Sequence, residues 1–481
     1  MSLIGFSIIA FIIATMIIGI RTYAKIKGHA TNYYVAGNSM PVWVIGITLC
    51  AQAFDANGSM GNASLSFESG FWAGATIPIG LASCLFLTGL FFAKPIHRMH
   101  LMTLADFYRR RYSQTTETLA ALTMLVSNII LVAGNLAGLG LLLDQVFGGG
   151  YLAMLLIIGA CILTYAVTGG LYATITTSVL QVGMFVLATL IGFFWLVGTH
   201  GWTSLMSQVP AGATDLSGLL NPENNAYLNW AALVSLALGD VVAIDFIQRV
   251  ISADSPQTAR RGCYIGGFLT LGVGLLVSFI GLFAFSFDKE PSRFLLVDLS
   301  MNNMPAVVGT AILLGVIAAS MSTAAGVVLD LANVITRNLV QRYTKSTWGD
   351  DTMLRFSRWI ALPTMGASIA FAYFRPEPGI LLILAFDVVL AGCFVPMALG
   401  IYWKRSNTPG AIAAIVVGTL TRVVLYFLIP EPYAGLDTLI PPVVSLITFV
   451  TVSLVTQGTS KPKHDALNYV PTDEELVKGI Y

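Results

Sequence analysis

"CAQAFDANGSMGNASLSF", residues 50–67, is polar where everything around it is not. On its N-terminal side lies "PVWVIGITL" (41–49), and beyond it "GFWAGATIPIGLASCLFLTGLFFA" (70–93). Gln52, Asp55, Asn57 and Asn62 interrupt what would otherwise read as continuous apolar chain, and Gly58 and Gly61 weaken any helix there. The composition sharpens the question. Hydrophobic residues make up 56 % of the 481 residues and charged residues 10 %, against about 25 % charged in a soluble domain. This is the composition of a membrane protein. The net charge of +1 gives no reason to expect a nucleic-acid partner.

Apolar runs of spanning length recur from end to end. They predict an all-α polytopic protein with about 13 transmembrane helices, at about 2–20, 42–67, 71–93, 117–146, 151–168, 174–198, 228–247, 263–286, 305–336, 354–373, 379–403, 409–430 and 438–456. The first, "MSLIGFSIIAFIIATMIIGI", has no basic leading segment and no small-residue cleavage site, so it reads as a retained helix. Five Cys without framework spacing read as buried small hydrophobes. Lys and Arg set the orientation. With the N-terminus outside, the outer loops carry only Lys289, Arg293 and Arg375, and Arg422 falls within a helix. The remaining Lys and Arg, including those of "RTYAKIK" and "KPIHRMH", face inward. The N-terminus is expected in the periplasm and the C-terminus in the cytoplasm of a bacterial inner membrane.

Setting aside the first helix and the last two leaves ten, which divide into 42–198 and 228–403. Each five-helix group opens on an interrupted helix, "AQAFDANGSMG" in the first and "SLALGDVVAIDF" in the second. Five is odd, so the second group is inverted relative to the first. Paired interruptions in corresponding positions point to a central binding site, because broken backbone at membrane depth is tolerated only around a protein-lined cavity. The organisation expected is therefore 1–41 as an extra helix and inner loop, 42–403 as the core, 404–456 as two further helices, and 457–481 as a tail.

Several stretches carry a family resemblance. "YAVTGGLYATITTSVLQV" (165–182), "AASMSTAAGVVLDLANVITRNL" (318–339), "PIGLASCLFLTGLFFAKPI" (78–96), "FIQRVISADS" (246–255) and "FDVVLAGCFVP…KRSNTPGAIAAIVVGTLTR" (386–422) resemble the sodium–solute symporters. That family includes proline permeases, sugar cotransporters and the high-affinity choline transporter; "AFDANG" is nearer the proline-permease pattern. The resemblance implies the LeuT-type 5+5 inverted-repeat fold. It also implies one Na⁺ held by the carbonyls of Ala53, Ala56 and Ala319 and the hydroxyls of Ser322 and Thr323. The chemistry is sound: Na⁺ prefers oxygen, and 319, 322 and 323 share one helix face. The opposite reading is that Ser322 and Thr323 merely bond back to their own helix. One departure matters. Where the family usually has Asp in W/Y-T-D-V-x-Q, this chain has "TTSVLQV", so Ser178 stands in place of a carboxylate. Asp55 and Asp330 are the residues that could compensate.

Asp55, Asp240, Asp245, Asp330 and Asp387 all fall within spanning segments. An ionised Asp at mid-bilayer costs ~2.5–3.5 kcal/mol on insertion scales, so each needs a partner or a purpose. Pairing with Arg249 or Arg422 suits Asp245 and Asp387. Ion or substrate contact suits Asp55 and Asp240, one on each interrupted helix, with Asn57 and Gln181 as further contacts. Asn135, Gln181 and Gln248 suit either substrate binding or helix-to-helix hydrogen bonding. The choline branch's aromatic box is not evident, since Ala53 and Ala243 stand where its tryptophans would be sought. His97 and His100 read as solvated loop residues without a third metal ligand. No Gly-Lys pair occurs, which excludes a P-loop, and no H-E-x-x-H or G-x-S-x-G suggests an enzyme. The expectation is a Na⁺-coupled symporter of a small organic solute, leaning to an amino acid or amine. It needs no organic cofactor and no obligate protein partner. A proton-coupled or uncoupled carrier, or a solute sensor on the same fold, is the alternative.

Overall fold

The computed structural model describes residues 3–287, 295–344 and 348–478, so Lys289 and Arg293 of the charge count lie outside the described residues. The protein is helical; among the described residues the only β pairing is an isolated bridge between Met40 and Ala253. We label the long helices α1 (Leu3–Lys25), α2 (Val42–Ala53), α3 (Asn62–Ser69), α4 (Phe71–Arg98), α5 (Gln114–Phe147), α6 (Tyr151–His200), α7 (Ala226–Val242), α8 (Ile244–Ser252), α9 (Pro256–Ser286), α10 (Ala306–Tyr343), α11 (Asp350–Phe374), α12 (Pro378–Tyr402), α13 (Thr408–Leu428) and α14 (Leu436–Val455). Among the described residues nine helices are long and apolar enough to cross a membrane, ten if the bent pair α7–α8 is one span. The chain is thus a polytopic all-α membrane protein.

Burial separates core from periphery. In its most apolar stretch α10 is 94 % buried, whereas α1, α13 and α14 are each 28 % buried. A helix apolar all round and enclosed on every side is the centre of the bundle; α10 lies mainly against α6. The peripheral helices keep large apolar residues exposed, as a lipid-facing surface does.

Both interrupted stretches break, but more narrowly than their composition suggests. Asn57, Gly58 and Gly61 do not unwind: helix resumes at Ala56 and continues through a π turn, Asn57–Gly61, into α3. The break falls at Phe54, which is extended (φ −113°, ψ 107°), and at Asp55. In the second stretch Ala243 is extended (φ −69°, ψ 128°) and α7 and α8 meet at 48°. A further kink lies inside α6, at Gly170 (φ 58°, ψ −151°). A side chain there would be strained, and a Cβ would also lie 2.5 Å from the Tyr33 ring. The helix expected over 263–286 starts earlier, at Pro256, because Ser255 caps it by accepting from the Thr258 amide at 3.1 Å.

At one end of the bundle the short helix Ala105–Arg111 is tied to α10 by buried charge. Arg337 Nε donates to both carboxylate oxygens of Asp106 at 3.0 and 2.9 Å. Arg342 reaches Asp106 at 3.1 Å and Glu117 at 3.2 Å. Burial pushes the Asp106 carboxyl up, but Arg337, Arg342 and Arg110 outweigh it and hold the group well below the usual carboxylate range. That stabilisation is full above the ordinary Asp range and is lost only as pH falls toward the depressed folded value. His97, expected in solvent, is buried instead, with Nε2 2.8 Å from the Ala253 carbonyl.

Candidate functional site

The end of α2 meets the middle of α10. Thr323 Oγ1 donates to the Ala51 carbonyl at 3.1 Å and, more weakly, to Ala319 O on its own helix at 3.4 Å. Ser322 Oγ lies 2.5 Å from Ser178 Oγ, and Ser178 also donates to the Thr174 carbonyl at 2.6 Å. A hydroxyl has one proton. With Ser178 spending its proton on Thr174, Ser322 is the donor between the two serines, and the rest of its oxygen is left as acceptor. Ala319, Ser322, Thr323 and Ser178 are therefore brought together beside the end of α2, all of them buried. Ala53 O faces Gly58, where a Cβ would approach it to 2.8 Å. Ala56 opens the second half of the broken helix and packs at Gly138 of α5.

Asp55 sits at the break and is held from three directions. Its Oδ1 accepts from the Gly58 amide at 2.7 Å; its Oδ2 accepts from Asn57 Nδ2 at 3.3 Å and from Asn135 Nδ2 at 2.5 Å. The first of these is an N-cap contact on the resuming helix, an amide that would otherwise be orphaned. Asn135 thereby ties the break to α5.

Asp330, expected from sequence to supplement the ion site, has a cationic neighbour. It lies 3.6 Å from Arg249 Nη1 on α8. The same Arg249 nitrogen donates to the Asp245 backbone carbonyl at 2.7 Å. Gln52, oriented so that its amide nitrogen faces the acid, donates to Asp245 Oδ2 at 3.1 Å and accepts from Arg249 Nη2 at 2.8 Å. Gly326 leaves room for this guanidinium: a Cβ there would lie 2.5 Å from Arg249 Nη2. Arg249 thus pairs with Asp330, and through Gln52 and the Asp245 backbone carbonyl it joins both broken helices to α10. Asp330 has a cation beside it, while neither of its own oxygens takes a hydrogen bond. Asp387 pairs with Arg422 at 2.9 Å, as its position suggested, and also accepts from Thr438. Gln248 ties helices together by donating to Tyr34 O and Met102 O.

Asp240 and Gln181 lack the pairing that Asp330 has with Arg249. Asp240 is fully buried, with the Cys84 thiol beside its carboxylate. Gln181, one turn beyond Ser178, is likewise buried, with only the Tyr165 side chain near its amide. Sequence reading missed Gln52 and the Ala51 carbonyl. Gln52 lay in plain sight within the interrupted stretch, but nothing in a linear pattern links it to residues 245 and 249.

The chain is 24 % identical over 507 residues to the sodium/glucose cotransporter of Vibrio parahaemolyticus, covering 96 % of this chain and 91 % of that protein. It is 26 % identical to the sodium/pantothenate symporter of Escherichia coli K12, covering 94 % and 96 %. Its fold matches a Na⁺-coupled sialic acid symporter solved in a substrate-bound outward-open state, with TM-score 0.79 at 15 % identity over 96 % of this chain and 98 % of that one. Related LeuT-superfamily folds match at lower scores. Residues 33–418 match the model of the sodium:solute symporter family, and the chain belongs to that family, as a Na⁺-coupled secondary transporter that moves a small solute by alternating access.

Proposed function

We propose that Na⁺ binds where α2 ends against α10, held by carbonyl oxygens of Ala53, Ala56 and Ala319 and by the hydroxyls of Ser322 and Thr323. The observation that carries this reading is the Thr323 hydroxyl at 3.1 Å from a carbonyl at the end of the broken helix. It puts side-chain oxygen from one helix against freed backbone oxygen from another, in a buried setting that suits a hard cation. Ser178 adds a neutral oxygen behind Ser322. The solute is an amine or amino acid: Asp240 is a buried acid with no cation beside it among the described residues, and a solute ammonium would answer it. Na⁺ favours one state, solute closes the site, and opening to the other side releases both.

The topology in this reading has 13 spans. Dividing α6 at Gly170, joining α2 to α3, joining α7 to α8 and counting α11 gives that number. The core is 42–403, with 42–198 and 228–403 as inverted repeats, flanked by 1–41, 404–456 and the tail 457–481. The distribution of Lys and Arg supports a periplasmic N-terminus, a cytoplasmic C-terminus and a bacterial inner membrane. A thermal-shift screen of amines, amino acids, sugars and carboxylates on purified protein, in Na⁺ and in K⁺, tests the function. Stabilisation by an amine in Na⁺ alone is the expected result; equal stabilisation in both salts overturns the Na⁺ assignment.

A further inference from the structure

Where α1 leaves the bundle, a cavity of about 480 Å³ opens between its C-terminal end and the first turns of α11. Lys27, Arg355 and Arg358 line it, with Asp351 as the lone acid and Tyr23 on the wall. Arg358 is fixed there: its Nε donates to the Val167 carbonyl at 3.2 Å, and its guanidinium lies 5.5 Å from the Tyr23 ring and 5.7 Å from the Tyr33 ring. Lys27 and Arg355 are exposed and, among the described residues, have no ion-pair partner. The cavity therefore carries an excess of two positive charges and calls for an anion.

What adjoins it says which anion. Ile13, Ile17, Ile20 and Ala24 recur at helical spacing, so they form one face of α1 that ends in the cavity wall at Ala24. All four are exposed. On α11, Arg355, Trp359 and Leu362 form a second such face; Trp359 is 69 % exposed. Both faces run from a charged rim into apolar surface. A soluble anion would use the rim and ignore the stripes. A phospholipid uses both, with its phosphate among the cations and its chains along Ile13, Ile17 and Ile20 on one side and Leu362 on the other. Trp359 lies on α11 one turn beyond Arg355 toward Leu362, where an indole favours the membrane interface. Basic pockets between helices at the membrane surface bind anionic headgroups in this way.

We infer that this cavity is a site for one anionic phospholipid, which bridges the peripheral α1 to α11. The inference concerns a membrane interface and does not depend on which leaflet it faces, nor on the solute. The test uses protein purified in detergent and stripped of lipid. Phosphatidylglycerol, phosphatidylcholine and inorganic phosphate are added separately while the thermal unfolding midpoint is followed; native mass spectrometry counts retained phosphatidylglycerol. Phosphatidylglycerol is expected to raise the midpoint and be retained as one copy, and the other two to do neither. The double variant Lys27→Ala, Arg355→Ala removes two exposed side chains and should fold. It is expected to raise the phosphatidylglycerol concentration needed for half the shift at least about tenfold, ~1.4 kcal/mol. A double variant that responds as the wild type does overturns the site. So does a wild type that neither shifts with phosphatidylglycerol nor retains it, and a wild type that inorganic phosphate stabilises equally marks a site for a soluble anion instead.

Discussion

The two broken helices look alike in sequence and differ in chemistry. Each is an apolar helix interrupted by a carboxylate near a single extended residue, Phe54 in one and Ala243 in the other. At the first break the acid is consumed by structure: Asp55 accepts from Gly58, Asn57 and Asn135. At the second, Asp245 is absorbed into the bridge with Gln52 and Arg249, while Asp240, just before the break, has no cation beside it, only the Cys84 thiol. A buried polar group is either satisfied or kept for something that arrives. By that rule the first break is a built platform, and in the proposed function the second offers the acid that meets the cargo.

Substitution at the two acids should separate these roles, with the larger effect on stability at the first. Asp55→Ala removes the acceptor for the Gly58 amide and for Asn135, both buried. At about 1–3 kcal/mol for each unsatisfied group, the expected loss is about 2–5 kcal/mol, seen as a lower unfolding midpoint and reduced yield of folded protein. Asp55→Asn keeps one acceptor for Gly58 but turns an amide toward the amides of Asn57 and Asn135, so it too should lose stability, by a smaller amount. A fully stable Asp55→Ala protein would sink the platform reading.

Asp240→Asn should do the reverse. It leaves an amide oxygen to face the Cys84 thiol, and its expected stability change stays within about 1 kcal/mol of the wild type, the ordinary range for a point change outside a network. Solute affinity, measured by isothermal titration in Na⁺ with the ligand found in the screen, is expected to fall at least about tenfold, ~1.4 kcal/mol. If Asp240→Asn unfolds the protein while leaving affinity untouched, the two breaks do not differ as described.

Much of this was legible in the sequence because membrane burial forces a simple code. Spans announce themselves by length and apolarity, and a polar interruption is costly enough to mark a site. The local detail was less legible. Gly58 and Gly61 suggested unwinding, yet the chain coils there, because the Asp55 carboxylate caps the helix that follows and so confines the break to two residues. Asp330 is seven residues beyond Thr323, and helical spacing alone placed it near the ion ligands. Its actual neighbour, Arg249, lies on another helix, admitted by the missing side chain at Gly326. Such cross-helix pairings leave no periodic trace. Asp387 and Arg422 could be matched because both were lone charges in apolar helices, whereas Gln52 is neutral and gave no comparable signal.

Ser178 offers a way to sharpen what the first break provides. Its hydroxyl touches Ser322 and gives the ion site only a neutral oxygen. Ser178→Asp would place a carboxylate one hydrogen bond from a proposed Na⁺ ligand. At an illustrative 6 Å and an effective dielectric of 20 the attraction to Na⁺ is ~3 kcal/mol, partly offset by desolvation of the new charge. Half-maximal Na⁺ stabilisation is expected at about tenfold lower concentration. An unchanged Na⁺ requirement would place the ion away from the Ser178–Ser322 contact.

The smallest expected effect lies at Thr323, and it decides between two uses of one hydroxyl. Its proton reaches Ala51 O at 3.1 Å across the helix interface and Ala319 O at 3.4 Å within its own helix. If the hydroxyl only bonds back, Thr323→Val, which keeps the shape, costs little and leaves Na⁺ dependence alone. If it is an ion ligand at the end of the broken helix, the same change removes one oxygen from the coordination shell and one tie between α2 and α10. The net value of a hydrogen bond is ~0.5–1.5 kcal/mol, so the Na⁺ concentration for half-maximal stabilisation should rise about three- to tenfold while the Na⁺-free unfolding midpoint moves little. Thr323→Ser retains the oxygen and should restore most of the wild-type Na⁺ response. Rescue by Ser without rescue by Val ties the effect to the oxygen rather than to packing. Equal behaviour of the two variants would remove Thr323 from the site and leave the first break a platform without a demonstrated ion.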